Sequence, residues 1–259
     1  MKTYKIIVLA LLLGIANLAS AQNKHFPVQG TIEFEKRVNM YALIKGLIKK
    51  YPTDTWYTQI FEQYQKTNPQ FKTLKSTLTF GKDQTLFTPG EAPVVQNNFF
   101  GDFPGVEQNN TIHTNVSAAT STSQKKVFEE LYLVKDSTRK INWKITDEVR
   151  NIAGYDCRRA NALIMDSVYV VAFYTDLIPV SGGPESFTGL PGMILGVALP
   201  YEHITWFATK VTELSISDDK LKVPVKGKAV TNAGLLTILK GALKDWGEGG
   251  KDTLKGFML

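Results

Sequence analysis

The amino-acid sequence predicts an α+β fold, mainly β, with a single antiparallel sheet and flanking helices towards the two ends of the chain. Two observations lead to this prediction. From Val127 onward, alternating apolar and polar runs follow one another closely and are separated by short turn signals, as in antiparallel strands joined by hairpins. Before and after this region, the apolar period changes from 2 to 3.6, which indicates amphipathic helices.

The N-terminal part of the chain is predicted to form a strand and then a helix. Residues 30–35 alternate in polarity and predict the first strand. An aromatic stripe at helical spacing predicts a helix over residues 55–66, and we expect the stripe to face the core. It comprises Trp56, Tyr57, Ile60, Phe61 and Tyr64.

A hairpin and a long loop are predicted next. Two alternating runs, residues 76–80 and 84–87, are separated by Gly81-Lys82-Asp83 and predict the hairpin. The segment 89–124 is rich in Asn, Thr, Ser, Gly and Pro, and it predicts a long loop of the kind that is often functional. Its aromatic side chains are Phe99, Phe100 and Phe103.

The second half is predicted to be a meander followed by a helix. The predicted strands are residues 131–134, 141–145, 157–165, 169–174, 193–199 and 204–214. An apolar stripe from Leu235 to Trp246 predicts a helix over residues 231–246, and we expect the tail after Gly247 to be loose. The chain is therefore interpreted as one β-rich domain over residues 22–259, with a helical extension from about residue 217.

The first 21 residues have the composition of a secretory signal peptide. A basic region, residues 1–5, precedes an apolar run, residues 6–18, and the small-residue site Ala19-Ser20-Ala21. We expect cleavage before Gln22, a periplasmic location, and no transmembrane segment in the mature chain, because no later segment reaches roughly 18 uncharged apolar residues. A lipoprotein would carry Cys at the position of Gln22.

Charge and cysteine content argue against a nucleic-acid-binding protein and against a protein stabilised by internal disulfides. The formal net charge is +6, but even the cluster Lys45, Lys49 and Lys50 is interrupted by apolar residues. We therefore expect no nucleic-acid partner. No disulfide can form within the chain, because Cys157 is its single cysteine, and we expect that side chain to be a small buried apolar group on a strand.

The most specific stretch of the chain is Phe187-Thr188-Gly189-Leu190-Pro191-Gly192-Met193-Ile194-Leu195. Within it, Leu190-Pro191-Gly192-Met193 predicts a type II turn. Pro191 presets φ at the second position of such a turn, and Gly192 supplies the positive φ at the third. We interpret this turn as structural first and functional at most by its placement.

An ordered set of features in the second half carries a family resemblance. The set comprises Trp143, Tyr155, Cys157, Tyr174, Pro184, Phe187, Gly189, Leu190, Pro191 and Gly192. In this order they resemble the GLPGLI family of exported Bacteroidetes proteins, with Met193 where the family has Leu, a swap that nearly conserves volume. The resemblance implies an exported, β-rich protein for which no biochemical activity is established.

The order of strands and turns is also similar to that of periplasmic carriers of the lipoprotein-sorting type. This similarity implies a single curved antiparallel sheet or half-barrel that wraps an apolar cavity closed by helices. The motif residues are then candidates for a binding surface. They are Tyr155, Cys157, Tyr174, Pro184, Phe187, Gly189, Leu190, Pro191 and Gly192.

No catalytic or cofactor motif is recognisable in the sequence. His25, His113 and His203 are not at the spacing of a helical zinc motif. Ser186 does not lie in the Gly-x-Ser-x-Gly elbow of a serine hydrolase. Adjacent carboxylates such as Glu129-Glu130 would point to opposite faces of a strand. The sequence therefore assigns no catalytic, cofactor-binding or metal-ligating residue.

Two function classes remain open from the sequence. The first is a non-enzymatic binding or accessory protein of the cell envelope, which takes an apolar ligand or an outer-membrane or envelope protein partner. The second is a metal-binding or thiol-dependent protein that uses Cys157 with His113 or His203.

We predict that the mature protein begins at Gln22 and is released in soluble form from the periplasm, because the small-residue site ends at Ala21. N-terminal sequencing of the periplasmic fraction checks this. A product that retains Met1 in the membrane fraction would contradict it.

Overall fold

The computed structural model describes residues 26–91, 103–107 and 110–259. Within these ranges, twelve strands form one sheet, and four α-helices accompany it. The strands are β1 (Gly30–Asn39), β2 (Phe71–Phe80), β3 (Gln84–Pro89), β4 (Asn110–Asn115), β5 (Thr120–Val127), β6 (Glu130–Ser137), β7 (Lys144–Ile152), β8 (Tyr155–Ile164), β9 (Val168–Thr175), β10 (Met193–Leu199), β11 (Ile204–Glu213) and β12 (Lys228–Val230). The helices are α1 (Met40–Lys50), α2 (Thr55–Thr67), α3 (Asn232–Ala242) and α4 (Gly247–Met258).

The sheet is open, with the strand order β12-β6-β5-β4-β3-β2-β1-β11-β10-β9-β8-β7. All neighbouring strands are antiparallel except β12 and β6, which are parallel. The first strand lies near the middle and pairs with both β2 and β11. This architecture confirms the predicted mainly β, α+β fold with a single antiparallel-dominated sheet.

Alternation along the strands defines an inward face. In β1, Ile32, Phe34 and Val38 are buried, whereas Glu33 and Arg37 between them are exposed. The inward side chains form a large apolar cluster that extends across the middle of the sheet and the strands β8 to β11. A smaller cluster joins β5 and β6 to α3. The inward face is therefore covered by different elements at its two ends.

The four helices cover the sheet in two pairs. Helix α1 buries Met40 and Ile44, and α2 packs on it through an edge-to-face contact of Tyr41 with Phe61, whose ring centroids are 5.5 Å apart. At the other end, α3 buries Leu235 and Leu239 in the smaller cluster. No helix in the described part of the chain is long and apolar enough to cross a membrane.

Several predicted elements are confirmed. The aromatic stripe forms α2. Phe61 is buried and Tyr57, Ile60 and Tyr64 pack partly buried against the core, but Trp56, expected to face the core, is 44% exposed. The predicted hairpin is β2 with β3, and residues 231–246 contain α3. The predicted signal peptide, Phe99 and Phe100 lie outside the described residues.

The structure corrects two predictions at the chain's helical segments. Helix α1 follows β1 directly, where no helix was predicted, and the side chain of Asn39 caps it by accepting from the Ala42 N–H at 3.1 Å. The tail after Gly247, expected to be loose, forms α4. Its last residues are held by the sheet, which explains why a glycine-rich segment is helical here.

Two strand predictions also need correction. The predicted loop over residues 89–124 contains β4 and β5, whose Thr- and Ser-rich sequences pair with each other and with β3 and β6. The predicted strand 141–145 begins only at Lys144 and runs to Ile152. Trp143 stands before it and donates its Nε1–H to the carbonyl of Thr188 at 3.0 Å. Tertiary pairing decides these strands, because their own residues alternate weakly.

The predicted type II turn at residues 190–193 is wrong in its geometry. The Gly192 N–H donates to the Leu190 carbonyl at 2.8 Å across Pro191, and the Met193 N–H donates instead to the Ile178 carbonyl at 3.1 Å. The predicted positive φ at Gly192 is present, at +145°, rather than the +80° or so of a type II turn. The turn therefore closes over three residues and ties Met193 to an earlier part of the loop.

Gly192 has no room for a side chain. A Cβ atom there would lie 2.1 Å from the Thr175 carbonyl oxygen, whereas a Cβ at Gly189, with φ +93°, would meet no atom closer than 3.7 Å. The strand register requires this approach, since Thr175 is the partner of Met193 between β9 and β10.

We predict that Gly192→Ala destabilises the protein more than Gly189→Ala does. Gly189→Ala adds only backbone strain, about 1–2 kcal/mol, whereas Gly192→Ala also forces two backbones apart and costs at least about 3 kcal/mol. Chemical denaturation of both variants measures the difference in free energy of unfolding. Equal losses would show that the approach to Thr175 does not constrain the fold.

Candidate functional site

Two buried lysines lie on the inward face of the sheet. Lys36 lies in β1 on the same face as Phe34 and Val38, and Lys125 lies in β5 on the same face as Val127. Lys36 is 2% exposed and Lys125 is 7% exposed. Lysine is rarely buried to this extent without a partner. The residues around these two lysines are therefore the first place to look for a functional site.

Each lysine donates to a main-chain carbonyl. Lys36 Nζ donates to the Glu107 carbonyl at 2.7 Å, and it also lies over the Trp206 ring, 5.0 Å from the centroid. Lys125 Nζ donates to the Phe257 carbonyl at 3.3 Å, near the end of α4. Both ammonium groups are therefore paired mainly with neutral acceptors, which stabilise a charge less than a carboxylate would.

Burial shifts the titration of both lysines. It lowers the pKa of Lys36 to about 8 and that of Lys125 to about 8. The carboxylate of Glu185 opposes the shift at both lysines, while Arg139 adds to it at Lys125. Glu185 therefore lies close enough to interact electrostatically with the two lysines.

Glu185 is the acidic member of this group. It is 6% exposed, and its Oε2 accepts a hydrogen bond from Asn110 Nδ2 at 2.9 Å. Asn110 is the cross-strand partner of Lys125 between β4 and β5. The backbone of Glu185 has φ +50°, a conformation that is costly for a side chain of this size and is often found at functional sites.

Arg139 brings a third cation to the same region. Its Nη2 donates to the Met258 carbonyl, the neighbour of the carbonyl that Lys125 uses. Its Nη1 is buried and has no hydrogen-bond partner among the described residues. We name Lys36, Lys125, Arg139, Glu185 and Asn110 the buried polar cluster; it contains three cations and one carboxylate.

The end of α4 contacts this cluster. Besides the carbonyls of Phe257 and Met258, the Leu259 carbonyl accepts from Ser186 Oγ at 3.2 Å. Phe257 and Met258 pack against the smaller apolar cluster, and Leu259 belongs to the larger one. The last residues of α4 therefore connect the two parts of the core.

Two cavities lie on either side of this connection. The first has a volume of about 640 Å³ and is lined by Phe103, Pro104, Glu107, Asn110, Lys125, Lys126, Phe128, Glu129, Trp246, Thr253, Gly256 and Phe257. The second, of about 410 Å³, lies under α1 and the β10–β11 turn, and its apolar lining includes Leu43, Leu47, Val106 and Ile204. Both are lined by Phe103, Pro104, Thr253 and Gly256. Segment 103–107 and α4 thus form the wall between them.

The motif residues support this region from outside the two cavities. Pro184, Phe187, Leu190, Cys157, Tyr174 and Gly192 are buried, Tyr155 is half-buried, and Gly189 and Pro191 are exposed. None of them lines either cavity. Phe187 packs near Trp206, with ring centroids 6.2 Å apart. This packing holds the loop that carries Glu185 against the sheet.

The residues of the metal or thiol hypothesis are not brought together. Cys157 is fully buried on β8, as predicted, and burial raises the pKa of its thiol to about 12. His113 lies on β4, which six other strands of the sheet separate from β8, with Nε2 3.1 Å from Gln84 Oε1. His203 is exposed in the turn before β11. Among the described residues, no three His, Cys, Asp or Glu side chains are grouped to hold a metal ion.

Sequence reasoning missed the buried polar cluster. For Lys36 a signal was present, because strict alternation with Ile32 and Phe34 places it on the inward face. For Lys125 and Glu185 the sequence carries no such signal, because each side chain is buried only by strands and loops that are distant in the sequence.

Comparison with known proteins gives a short family match and a fold. Residues 163–196, which include the end of β8, β9 and the loop to β10, match the Porph_ging family, described as a protein of unknown function. No curated protein matches the chain.

Two crystal forms of PNGF-II are similar in structure. The C2 form has a TM-score of 0.50 and 13% identity, with 87% of this chain and 32% of that chain covered. The P21 form has a TM-score of 0.48 and 16% identity, with 78% and 31% covered. This chain thus spans about a third of the length of those chains. At 13% identity, the similarity to the C2 form shows a common fold alone.

Proposed function

We propose that this protein is a non-enzymatic binding protein of the cell envelope, which takes an apolar or amphipathic ligand between the inward face of the sheet and α4. The observation that carries this proposal is the pair of cavities separated by α4 and segment 103–107. Their volumes, about 640 and 410 Å³, fall in the range of about 300–1,000 Å³ that small-molecule sites occupy.

Aromatic side chains at the first cavity favour a ligand with an apolar body. Phe128 and Trp246 line it and are 45% and 54% exposed, with ring centroids 5.9 Å apart. Phe128 also has φ +53°, which is strained for a large residue. An exposed aromatic pair held by a strained backbone is typical of a contact surface rather than of a core.

The helix between the cavities has low intrinsic stability. Helix α4 contains Gly247, Gly249, Gly250 and Gly256, and no side chain caps its N-terminus. Each glycine inside a helix costs about 1 kcal/mol relative to alanine, so α4 depends on the contacts of its last residues. A ligand can therefore displace α4 at a lower cost than a core strand.

The buried lysines also favour a binding role. Burying a charged group against neutral acceptors costs folding free energy, and an apolar side chain at Lys36 or Lys125 would avoid that cost. Sites that lower stability in this way are commonly retained for function.

An envelope location rests on the predicted signal peptide and on the resemblance to the exported GLPGLI family. The short match to a family of unknown function is compatible with that assignment. An outer-membrane or envelope protein is then a suitable partner to receive or deliver the ligand.

The thiol-dependent alternative has less support. Cys157 Sγ lies 3.4 Å from the Tyr155 carbonyl, fully buried, and with a pKa of about 12 the thiol stays protonated at neutral pH. A protonated, inaccessible thiol is a poor nucleophile and metal ligand.

We predict that the free energy of unfolding rises by about 2–3 kcal/mol between pH 7 and pH 9. Lys36 and Lys125 have pKa values of about 8 when folded and about 10.4 when unfolded. Between these values, the unfolded chain holds more protons, so stability increases with pH. Denaturant titrations at both pH values measure the change.

Lys125→Met should remove about half of this pH dependence, because one of the two shifted groups is lost. Stability that is flat or falls from pH 7 to pH 9 would show that the lysines are not buried as charged groups. The buried thiol of Cys157 acts in the opposite direction, because its raised pKa makes stability fall with pH from the unfolded thiol value of about 8.5 upwards. It therefore offsets a part of the rise near pH 9 and a larger part above it, so the window ends at pH 9.

We predict that the neutral apolar probe N-phenyl-1-naphthylamine binds saturably, and that Trp246→Ala weakens the binding at least about fivefold. The matched control is Trp56→Ala, since Trp56 is 44% exposed on α2 and lines neither cavity. Fluorescence titration gives the dissociation constants. No saturable binding, or equal losses in the two variants, would contradict the proposed function.

A further inference from the structure

We infer that the inner end of the first cavity is a subsite for an acidic group, so that the ligand is an anionic amphiphile whose carboxylate or phosphate is held by Lys125 and Arg139. This inference rests on the proposed function and specifies the chemistry of its ligand. Lys125 is the part of the buried polar cluster that both lines the cavity and carries a charge.

The hydrogen-bonding capacity of the two cations is not filled. An ammonium group has three donors, and among the described residues Lys125 Nζ makes one bond, of 3.3 Å, to the Phe257 carbonyl. Arg139 has five N–H donors, and its buried Nη1 has no partner in the described part of the chain. An acidic group would supply several acceptor oxygens at once and would satisfy both side chains.

The balance of charge also favours an anion. Lys36 and Lys125 are buried and Arg139 is half-buried. The carboxylate of Glu185 acts on both lysines and that of Glu107 acts on Lys36 as well, while Oε2 of Glu185 already accepts from Asn110. Glu107 and Glu129 also line the cavity, but Glu129 is exposed and Glu107 is half-buried. The excess of positive charge therefore lies at the inner end, where water screens it least.

The groups that now occupy the subsite are carbonyls of the chain itself. Lys125 donates to Phe257 and Arg139 to Met258, so the last turn of α4 presents acceptors where an acidic group would lie. Charge-assisted bonds to an anion are stronger than bonds to neutral carbonyls, and α4 has low intrinsic helix stability because it contains four glycines and lacks an N-terminal side-chain cap. An acidic ligand can therefore replace these carbonyls, while its apolar chain extends towards Phe128 and Trp246.

The test compares ligands that share an alkyl chain and differ in the head group. Dodecanoate, dodecyl phosphate and 1-dodecanol are titrated against the full-length mature protein by displacement of N-phenyl-1-naphthylamine. We expect at least one of the two acids to bind about ten- to a hundredfold more tightly than the alcohol. Which of them binds more tightly identifies the acidic group.

The variant Lys125→Met removes the charge and keeps an unbranched apolar side chain. It should abolish the preference for the acids over 1-dodecanol, and a cooperative unfolding transition in denaturant shows that the variant is folded. The control Lys135→Met removes one charge from an exposed position on the neighbouring strand β6, and it should keep the full preference.

The outcomes separate the two proposals. If 1-dodecanol binds as tightly as both acids, or if Lys125→Met keeps the preference, the acidic subsite is wrong and the proposed binding function stands. If neither the acids nor the alcohol bind, both proposals are wrong.

Discussion

The burial of Lys36 and Lys125 near the carboxylate of Glu185, with Arg139 half-buried beside Lys125, is the constraint around which this protein is organised. A sheet of twelve strands could have placed apolar side chains at Lys36 and Lys125, but both lysines lie on its inward face at pKa values of about 8. Their charges need acceptors from elsewhere in the chain, since no strand neighbour supplies a carboxylate. Segment 103–107 supplies one carbonyl and α4 supplies another. The covering elements are thus attached to the sheet through the same groups that we propose to bind the ligand.

The loop between β9 and β10 makes this arrangement possible. Gly192 allows the chain to pass against the Thr175 carbonyl, and Phe187 anchors the loop near Trp206. Between these anchors and β9, Glu185 is held at a positive φ with its carboxylate bonded to Asn110. The motif residues therefore do not line either cavity. Their contribution is to position the buried carboxylate of Glu185, which partly compensates the charges of the two lysines.

The sequence predicted the elements whose own residues carry a strong period. The alternation in β1 is a local pattern, and burial agrees with it. The stripe of α2 is also a local pattern; it predicted the helix, but Phe61 is buried whereas Trp56 is 44% exposed. Helix α1 was missed because β1 continues into it with no glycine or proline between them. Strands β4 and β5 were missed because Thr and Ser dominate them, so their pairing partners decide their structure. The candidate site was less predictable, since Lys125 and Glu185 become neighbours only through the folded sheet.

The central claim is that an acidic amphiphile occupies the first cavity with its head group at Lys125. A crystal structure of the mature protein with dodecanoate tests it most directly. We expect a carboxylate oxygen about 2.7–3.2 Å from Lys125 Nζ, the alkyl chain against Phe128 and Trp246, and the last turn of α4 shifted from its present contacts. Dodecanoate bound elsewhere on the protein, with the Phe257 carbonyl still accepting from Lys125 and the cavity empty, would contradict the account.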